Sequence, residues 1–483
     1  MNFTAPVFLL FFPLVALAYR LLPPRMRWAL LLAASYCFYA QGSWRALPLL
    51  LGTTALAYLC ALKIGADAAR KRAWLTLALC GCLGCLVLFK YLGFIDQNVR
   101  AALHFWGIDA GWRLPALPLP AGISFYTFQT LSYVLDVYRG KIVPERHFGY
   151  FALFVSFFPQ LVAGPIERPE NLLPQLHASP NPGADDLWQG LQWMLRGYFK
   201  KLVLADALAR FVEPVYAAPG TAPAPVILAA TVFFALQIYC DFSGYSDIAS
   251  GTARMLGIHL TENFRTPYLA ANIRDFWRRW HISLTSWFTE YLYIPLGGSR
   301  RGLWRHCRNI MLVFLISGAW HGANWTFFAW GGLHGLYLTA DMLLRRRIRR
   351  TPTAHRLPAG IRLWGGRAVT FALVCLAWVF FRAASMADAF ALLAGLFTRW
   401  CLPGPGIFSA WMGFALPDAL QLVLGLCCLA LLRYLPLSLS QADGKNSVVA
   451  AAQAVFFVLC AVLLGGLGLL SVHANSAFLY FQF

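Results

Sequence analysis

Charged residues are scarce in this sequence, and acidic ones are the scarcest. Only 12% of the 483 residues are charged and 59% are hydrophobic, whereas roughly 25% of a typical soluble domain is charged. This composition excludes an ordinary soluble protein. Apolar stretches near the length that crosses ~30 Å of hydrocarbon recur along the whole chain. We therefore predict an all-α polytopic membrane protein.

The sequence also lacks recognisable metal-binding patterns. None of its ten histidines forms an H-x-x-x-H or H-E-x-x-H pair, the spacing that places two imidazoles on one helix face. Cys80, Cys82 and Cys85 lie in an apolar run without histidine or acidic neighbours, which is typical of packing residues. No metal site is predicted.

Basic residues outnumber acidic ones by 40 to 20. They concentrate in short loops between apolar runs, as at Lys63–Arg72 and Arg345–Arg350, and this distribution follows the positive-inside rule for membrane proteins. The same charge favours membrane lipids with anionic headgroups, or an anionic cytosolic donor. Nucleic acid is not a predicted partner, because the basic residues form no groove-like patch.

Alternating loop charge predicts that both termini lie on the extracytoplasmic side. The first apolar runs lie at about Val7–Leu21, Trp28–Ala40, Ala46–Leu62 and Trp74–Leu92. Arg265–Arg308 is too rich in arginine and tryptophan to span as one helix. We expect re-entrant or interfacial helices there, because irregular backbone at membrane depth must be buried in protein or line a cavity.

The first candidate site surrounds His321, with Trp320 and Asn324 beside it. A buried imidazole tends to stay neutral and can accept a proton, although a lone intramembrane histidine can equally be a packing residue. Glycines flank both His321 and His334, and small residues let a substrate or another backbone approach closely. On one continuous helix, thirteen residues would place the two imidazoles on roughly opposite faces. The proton-transfer role is therefore predicted for His321 and a supporting role for His334.

The second candidate site is Phe276–His281. Its arginines, Arg278 and Arg279, can bind the phosphates of an activated donor, since guanidinium groups suit bidentate phosphate contacts. Alternatively, they pair with Asp275 and Glu290 and only anchor an interfacial helix. His281 would add a polar wall to the reaction chamber.

The third candidate is Asp241 with Asp247, which follows the apolar run Pro225–Tyr239. Two interpretations remain open at this point. The carboxylates can cap a helix boundary, or they can hold a histidine in one tautomer.

Motifs in the same order along the chain resemble the membrane-bound O-acyltransferase family, in its bacterial alginate O-acetyltransferase branch. The matching segments are Leu31–Tyr39 (LLAASYCFY), Pro120–Tyr126 (PAGISFY), Ser132–Gly140 (SYVLDVYRG), Phe158–Pro165 (FPQLVAGP), Tyr239–Asp247 (YCDFSGYSD), Glu262–Pro267 (ENFRTP), Phe276–Ser283 (FWRRWHIS), Tyr291–Gly298 (YLYIPLGG) and Gly318–Asn324 (GAWHGAN).

The resemblance implies a ring of tilted transmembrane helices around a central funnel, within a single domain 1–483 whose core covers about 120–345. His321 matches the family's catalytic histidine, and His281 matches a second position that many eukaryotic relatives fill with asparagine. The implied donor is acetyl-CoA or an acyl carrier on the cytosolic side of a bacterial inner membrane. The implied acceptor is a cell-surface polysaccharide such as an exopolysaccharide, reached through an extracytoplasmic acetyltransferase of the SGNH-hydrolase type.

The last six residues, Phe478–Phe483, resemble the aromatic tail of small membrane peptides in teichoic acid D-alanylation, where a tyrosine is thought to carry the acyl group. The tail 471–483 is predicted to be extracytoplasmic, so Tyr480 is a candidate acyl relay. An interfacial aromatic belt is the alternative. Two other functions stay open: D-alanyl transfer from a carrier protein, and a transporter in which the histidines relay protons.

Overall fold

In the computed structural model, residues 2–115, 117–350, 358–402, 404, 406–414 and 416–432 are described. Among these residues the regular structure is helical, and no strand occurs. The predicted all-α class is confirmed. The described chain divides into two compact units: residues up to Met194 with Ile248–Thr261, and Leu195–Asp247 with the residues from Glu262 onward.

The first unit contains the N-terminal helices. They are α1 (Pro6–Leu21), α2 (Pro24–Ser43), α3 (Leu47–Ala66), α4 (Lys71–Leu86), α5 (Leu92–Phe105), α6 (Ile123–Tyr138), α7 (Phe148–Ser156), α8 (Phe158–Leu161), α9 (Pro169–Ala178) and most of α10 (Ala184–Tyr198), with a 3₁₀ turn at Trp44–Ala46 and a π turn at Val87–Tyr91. Proline occupies the first turn of α1, α2 and α3, where its missing N–H costs no hydrogen bond.

Buried polar side chains fix the loops of the first unit. The guanidinium of Arg27 donates to the carbonyl oxygens of Ser179 at 3.0 Å and Pro180 at 3.2 Å. The carboxylate of Glu167 is fully buried and accepts from Asn171 at 2.7 Å and from the hydroxyl of Thr261 at 3.1 Å. These contacts supply partners that a buried charge needs.

The second unit contains the later helices. They are α11 (Asp206–Ala217), α12 (Ala224–Arg254, through Asp247), α13 (Ile273–Trp277), α14 (Ile282–Phe288), α15 (Leu303–His321), α16 (Trp325–Arg350), α17 (Ala359–Arg382), α18 (Met386–Thr398), α19 (Ile407–Met412) and α20 (Leu416–Leu432), with π turns at Phe199–Ala205 and Thr289–Tyr293 and a 3₁₀ turn at Pro267–Leu269.

Aromatic rings form the core of this second unit. Trp330 of α16 stacks on Trp378 of α17 with ring centroids 5.8 Å apart, and Trp280 lies 5.1 Å from Trp378. Phe276 of α13 stacks on Trp280 at 5.6 Å. Aromatic pairs at these distances contribute beyond the area that they bury, so the core fixes α13, α16 and α17 relative to one another.

Four helical segments of the described chain are long and apolar enough to cross a membrane. They are Pro24–Ala66, Lys71–Phe105, Ala224–Arg254 and Ala359–Arg382. The expectation that Arg265–Arg308 does not form one spanning helix is confirmed, because that segment contains the short helices α13 and α14 and a π turn. The polytopic membrane assignment is likewise confirmed.

Candidate functional site

The chain turns sharply directly after His321. Helix α15 ends at this residue, Gly322 is extended with φ −162° and ψ 154°, and α16 begins at Trp325. Asn324 holds the turn: its Oδ1 accepts from the backbone N–H of Thr326 at 3.2 Å, and its Nδ2 donates to the carbonyl of Ala384 at 2.9 Å. The prediction that His321 and His334 lie on opposite faces of one helix is wrong, because the helix breaks between them.

Aromatic rings surround the His321 imidazole, which is 4% exposed. Its ring centroid lies 5.0 Å from Trp320, 4.9 Å from Trp330 and 5.4 Å from Phe381. The α15–α16 turn folds Trp330 back onto His321, and the same indole lies 5.1 Å from His334. A single tryptophan therefore contacts both imidazoles.

His334 is fully buried and is oriented by a hydrogen bond. The indole N–H of Trp277 donates to its Nδ1 at 3.3 Å, so in the neutral ring the proton lies on Nε2. Phe276 stacks on the imidazole at 6.1 Å with an interplanar angle of 4°. Since Trp277 lines the cavity described below, His334 supports the wall of that cavity, in keeping with a supporting role.

His281 lies between α13 and α14 and is fully buried. Phe242 contacts its ring edge-on at 4.7 Å, and Trp320 lies 6.0 Å away. Trp320 thus contacts both His281 and His321, which the chain separates by forty residues. Burial among these rings lowers the pKa of the His281 imidazole, because an apolar environment disfavours the charged form.

A cavity of about 430 Å³ follows one face of α15. Along that helix its wall is formed by His306, Ile310, Val313, Phe314 and Ser317. Four residues after Ser317 the same face presents His321, which is about 6 Å further along the axis at 1.5 Å per residue. His321 is not among the residues that line the cavity, and it lies one helical turn beyond Ser317.

The cavity is lined by both basic and apolar side chains. Arg274 and Arg278, whose side chains are exposed, belong to its lining. Buried Leu284, Phe288 and Ile310 belong to it as well. A pocket of a few hundred Å³ with mostly apolar walls and a few charged groups is typical of small-ligand sites. This combination suits a ligand with an anionic head and a less polar arm.

The two neighbouring arginines of the second candidate site differ in their contacts. Arg279 pairs with Asp275 at 2.9 Å one turn away, so the anchoring interpretation holds for this residue. Arg278 instead lines the cavity. Arg274 lines it as well, and its spacing of four from Arg278 places both on one helical side.

Asp241 and Asp247 lie inside α12 and form ion pairs with the segment before it. Lys201 contacts Asp241 at 2.6 Å and Asp206 at 2.9 Å. Arg196 and Lys200 contact Asp247 at 2.8 and 2.7 Å. The helix-boundary interpretation is wrong, because α12 continues unbroken to Arg254. The cations that neutralise these carboxylates lie at residues 196–201, before α12.

Two further predictions concern metals and Tyr480. Within the part of the chain that the structure describes, no group of three or more histidine, cysteine or acidic side chains is arranged to hold a metal ion. Tyr480 and the tail 471–483 lie outside the described residues.

The fold and site define an α-helical membrane protein with buried histidines and a cavity lined in part by arginines, and comparison with known proteins gives its family. The model of the MBOAT, membrane-bound O-acyltransferase, family matches residues 145–387. The chain is 39% identical to the probable alginate O-acetylase of Azotobacter vinelandii, over 82% of this chain and 78% of that protein. The chain therefore belongs to the membrane-bound O-acyltransferase family, and the resemblance carried by the motifs is confirmed.

Other relatives are named for different activities. The peptidoglycan O-acetyltransferase of Helicobacter pylori is 37% identical over 80% of this chain and 76% of that protein. The teichoic acid D-alanyltransferase of Streptococcus thermophilus is 27% identical over 50% of this chain and 61% of that protein. The protein is thus a membrane-bound O-acyltransferase, and the transporter alternative is set aside.

Proposed function

We propose that this enzyme transfers an acetyl group from a cytosolic thioester, acetyl-CoA, toward the O-acetylation of a cell-surface polysaccharide at the bacterial inner membrane. The names of the alginate and peptidoglycan relatives support an acetyl group and a polymeric acceptor. The observation that carries the proposal is the cavity lined by Arg274 and Arg278, whose wall along α15 ends at Ser317, one helical turn before His321.

In this proposal the imidazole of His321 is the general base. It takes the proton from the acceptor hydroxyl as the hydroxyl oxygen attacks the thioester carbonyl. The carbon–sulfur bond then breaks, and the thiolate leaves with that proton. Trp320 and Trp330 hold the imidazole by ring contacts, His281 forms part of the reaction chamber, and Arg278 with Arg274 binds the donor phosphates.

The donor site is tested with two adjacent arginines. Arg278→Ala should raise KM for acetyl-CoA about tenfold or more, because a charge-assisted phosphate contact contributes roughly 1.5–3 kcal/mol. Arg279→Ala is the matched control, since its guanidinium already pairs with Asp275. With acetyl-pantetheine, which lacks phosphate, the two variants should behave alike. Equal KM values for acetyl-CoA would remove Arg278 from the donor site.

The base is tested separately. His321→Ala should lower kcat by roughly 10²–10⁴ without a matching rise in KM, as expected for loss of a general base. His259→Ala serves as the control, because its side chain is half exposed. Acetyl transfer by His321→Ala at the parent rate would exclude His321 as the base.

D-alanyl transfer from a carrier protein is the second candidate, favoured by the likeness to the teichoic acid D-alanyltransferase. Both donors end in a phosphopantetheine thioester, so the arginines and the apolar cavity suit either. Purified enzyme offered labelled acetyl-CoA and a D-alanyl carrier protein in parallel decides between them. Label uptake from the carrier alone would replace the acetyl proposal.

Delivery to the polysaccharide is proposed to use Tyr480 as an acyl relay, with an extracytoplasmic acetyltransferase of the SGNH-hydrolase type completing the transfer. The hydroxyl oxygen of Tyr480 would attack the thioester carbonyl, the carbon–sulfur bond would break, CoA would leave as the thiol, and Tyr480 would carry the acetyl group as an ester. Peptide mass analysis after incubation with acetyl-CoA should show an acetyl adduct on Tyr480 that Tyr480→Phe lacks. Unchanged activity of Tyr480→Phe, without an adduct on the parent, removes the relay and leaves direct transfer.

A further inference from the structure

Asn263 contacts His281 in a way that decides which ring nitrogen carries the proton. The Oδ1 atom of Asn263 lies 3.1 Å from Nδ1 of His281. The same Oδ1 accepts from the backbone N–H of Ser283 at 3.3 Å and from its hydroxyl at 2.9 Å. A backbone N–H can only donate, so the asparagine atom at this position is its oxygen.

The hydrogen bond made by the amide nitrogen of Asn263 is consistent with this assignment of its oxygen. Nδ2 of Asn263 donates to the hydroxyl of Ser246 at 3.2 Å, and Asn263, Ser246 and Ser283 are all buried. Because Oδ1 can only accept, Nδ1 of His281 must donate to it. In the neutral ring the lone pair then lies on Nε2.

Backbone hydrogen bonds hold the chain around His281 in the conformation that allows its contact with Asn263. His281 adopts a left-handed conformation with φ 46° and ψ 55°, a region that residues with a side chain rarely occupy. The backbone N–H of Ile282 donates to the carbonyl of Asn263 at 2.9 Å, and that of Arg265 donates to Arg279 at 2.9 Å. Strained positions of this kind persist where the surrounding contacts over-determine them.

We infer that Asn263 is a positioning residue that keeps the proton of His281 on Nδ1, so that Nε2 of His281 presents a lone pair to the reaction site. The inference rests on the proposed place of His281 at the reaction site. It assigns Nε2 of His281 the role of a hydrogen-bond acceptor, while the proton of the attacking hydroxyl goes to His321, and it excludes an Nε2–H donor aimed at the thioester carbonyl.

The test uses acetyl transfer by the full-length enzyme and compares three variants. Asn263→Leu removes the acceptor and should lower kcat roughly 10- to 100-fold, the usual cost of losing a residue that orients a functional histidine, while KM for acetyl-CoA changes less than about twofold. Asn263→Asp keeps an acceptor oxygen for Nδ1 of His281. Its kcat should match that of Ser246→Ala, because both variants lose the hydrogen bond between Nδ2 of Asn263 and the Ser246 hydroxyl. A fall in kcat of more than about tenfold for Asn263→Asp relative to Ser246→Ala overturns the inference.

A double-mutant cycle distinguishes a role of Asn263 in positioning His281 from a role in stabilising the turn alone. In a His281→Gln background, Asn263→Leu should change kcat less than about threefold, because residues that act through one another are not additive. An unchanged cost in that background means that Asn263 only stabilises the turn. If His281→Gln alone retains the parent kcat, His281 has no place at the reaction site and that part of the proposed function fails. Failure of the inference alone looks different: His281→Gln then lowers kcat, but Asn263→Leu lowers kcat equally with and without His281.

Discussion

Two glycines allow α15 and α16 to approach closely beside His321, and replacing them gives the sharpest prediction. An alanine Cβ at Gly318 would lie 2.2 Å from the carbonyl oxygen of Phe327, and one at Gly331 would lie 2.2 Å from that of Phe314. Both neighbours are backbone atoms, so no side-chain rotation relieves the clash. The expectation that glycines near the histidines admit another backbone is confirmed.

The size of the effect follows from this geometry. A Cβ contact below 3.0 Å is essentially never found, so the helices must separate by 0.8 Å, the difference between 3.0 and 2.2 Å. Overpacking of this kind costs about 1–3 kcal/mol of stability. A displacement near 1 Å at a reacting group costs about 100-fold in rate. We therefore expect Gly318→Ala to lower kcat roughly 100-fold.

Gly332→Ala is the matched control on the neighbouring position. Its Cβ would meet only the Leu315 side chain at 3.8 Å, an ordinary contact, and alanine favours the helix by about 0.5–1 kcal/mol. Acetyl transfer is measured per amount of enzyme in the membrane, together with the melting temperature in detergent. Equal kcat for Gly318→Ala and Gly332→Ala would refute the argument that this close approach positions His321.

Two further pairs of substitutions test the buried contacts. His334→Gln offers an oxygen to the indole N–H of Trp277 and should keep KM for acetyl-CoA near the parent value. His334→Leu leaves that N–H buried without an acceptor, which costs about 1–3 kcal/mol of stability at the cavity wall, and should raise KM. Equal KM values for the two variants would contradict the supporting role of His334. Lys201→Met leaves Asp241 buried without its cation, and breaking such a pair costs about 3–5 kcal/mol. The melting temperature should therefore fall well below that of Arg345→Met, which breaks only an exposed pair; similar melting temperatures would count against a buried ionic cluster.

Much of the fold follows from the sequence, because local signals mark it. The apolar run Val7–Leu21 predicts a helix, and α1 extends from Pro6 to Leu21. The break after His321 was equally readable, since Gly322 is a common helix terminator and Asn324 is a common cap. Hydrophobic periodicity hides such a break when both flanking segments are apolar, which is why one continuous helix is the wrong prediction here.

Partner choice within the site is less predictable, because it depends on contacts between distant segments. Arg278 and Arg279 lie three and four residues after Asp275, both within reach on a helix, yet Arg279 makes the ion pair and Arg278 lines the cavity. Asp247 forms ion pairs with Lys200 and Arg196, which lie 47 and 51 residues earlier in the chain. Sequence motifs locate such groups, but only the folded chain decides which charges neutralise each other and which remain for a ligand.

The tight α15–α16 turn connects stability with chemistry in this enzyme. Inside a membrane, helices gain little from hydrophobic exclusion and depend on close packing between small residues. Here that packing occurs at Gly318 and Gly331, the first of them three residues before His321 and the second next to Trp330, which contacts both imidazoles. The positions of His321 and His334 are therefore set by one helix pair. Substitutions on either helix should couple in a double-mutant cycle, whereas substitutions on the exposed end of α16 should not.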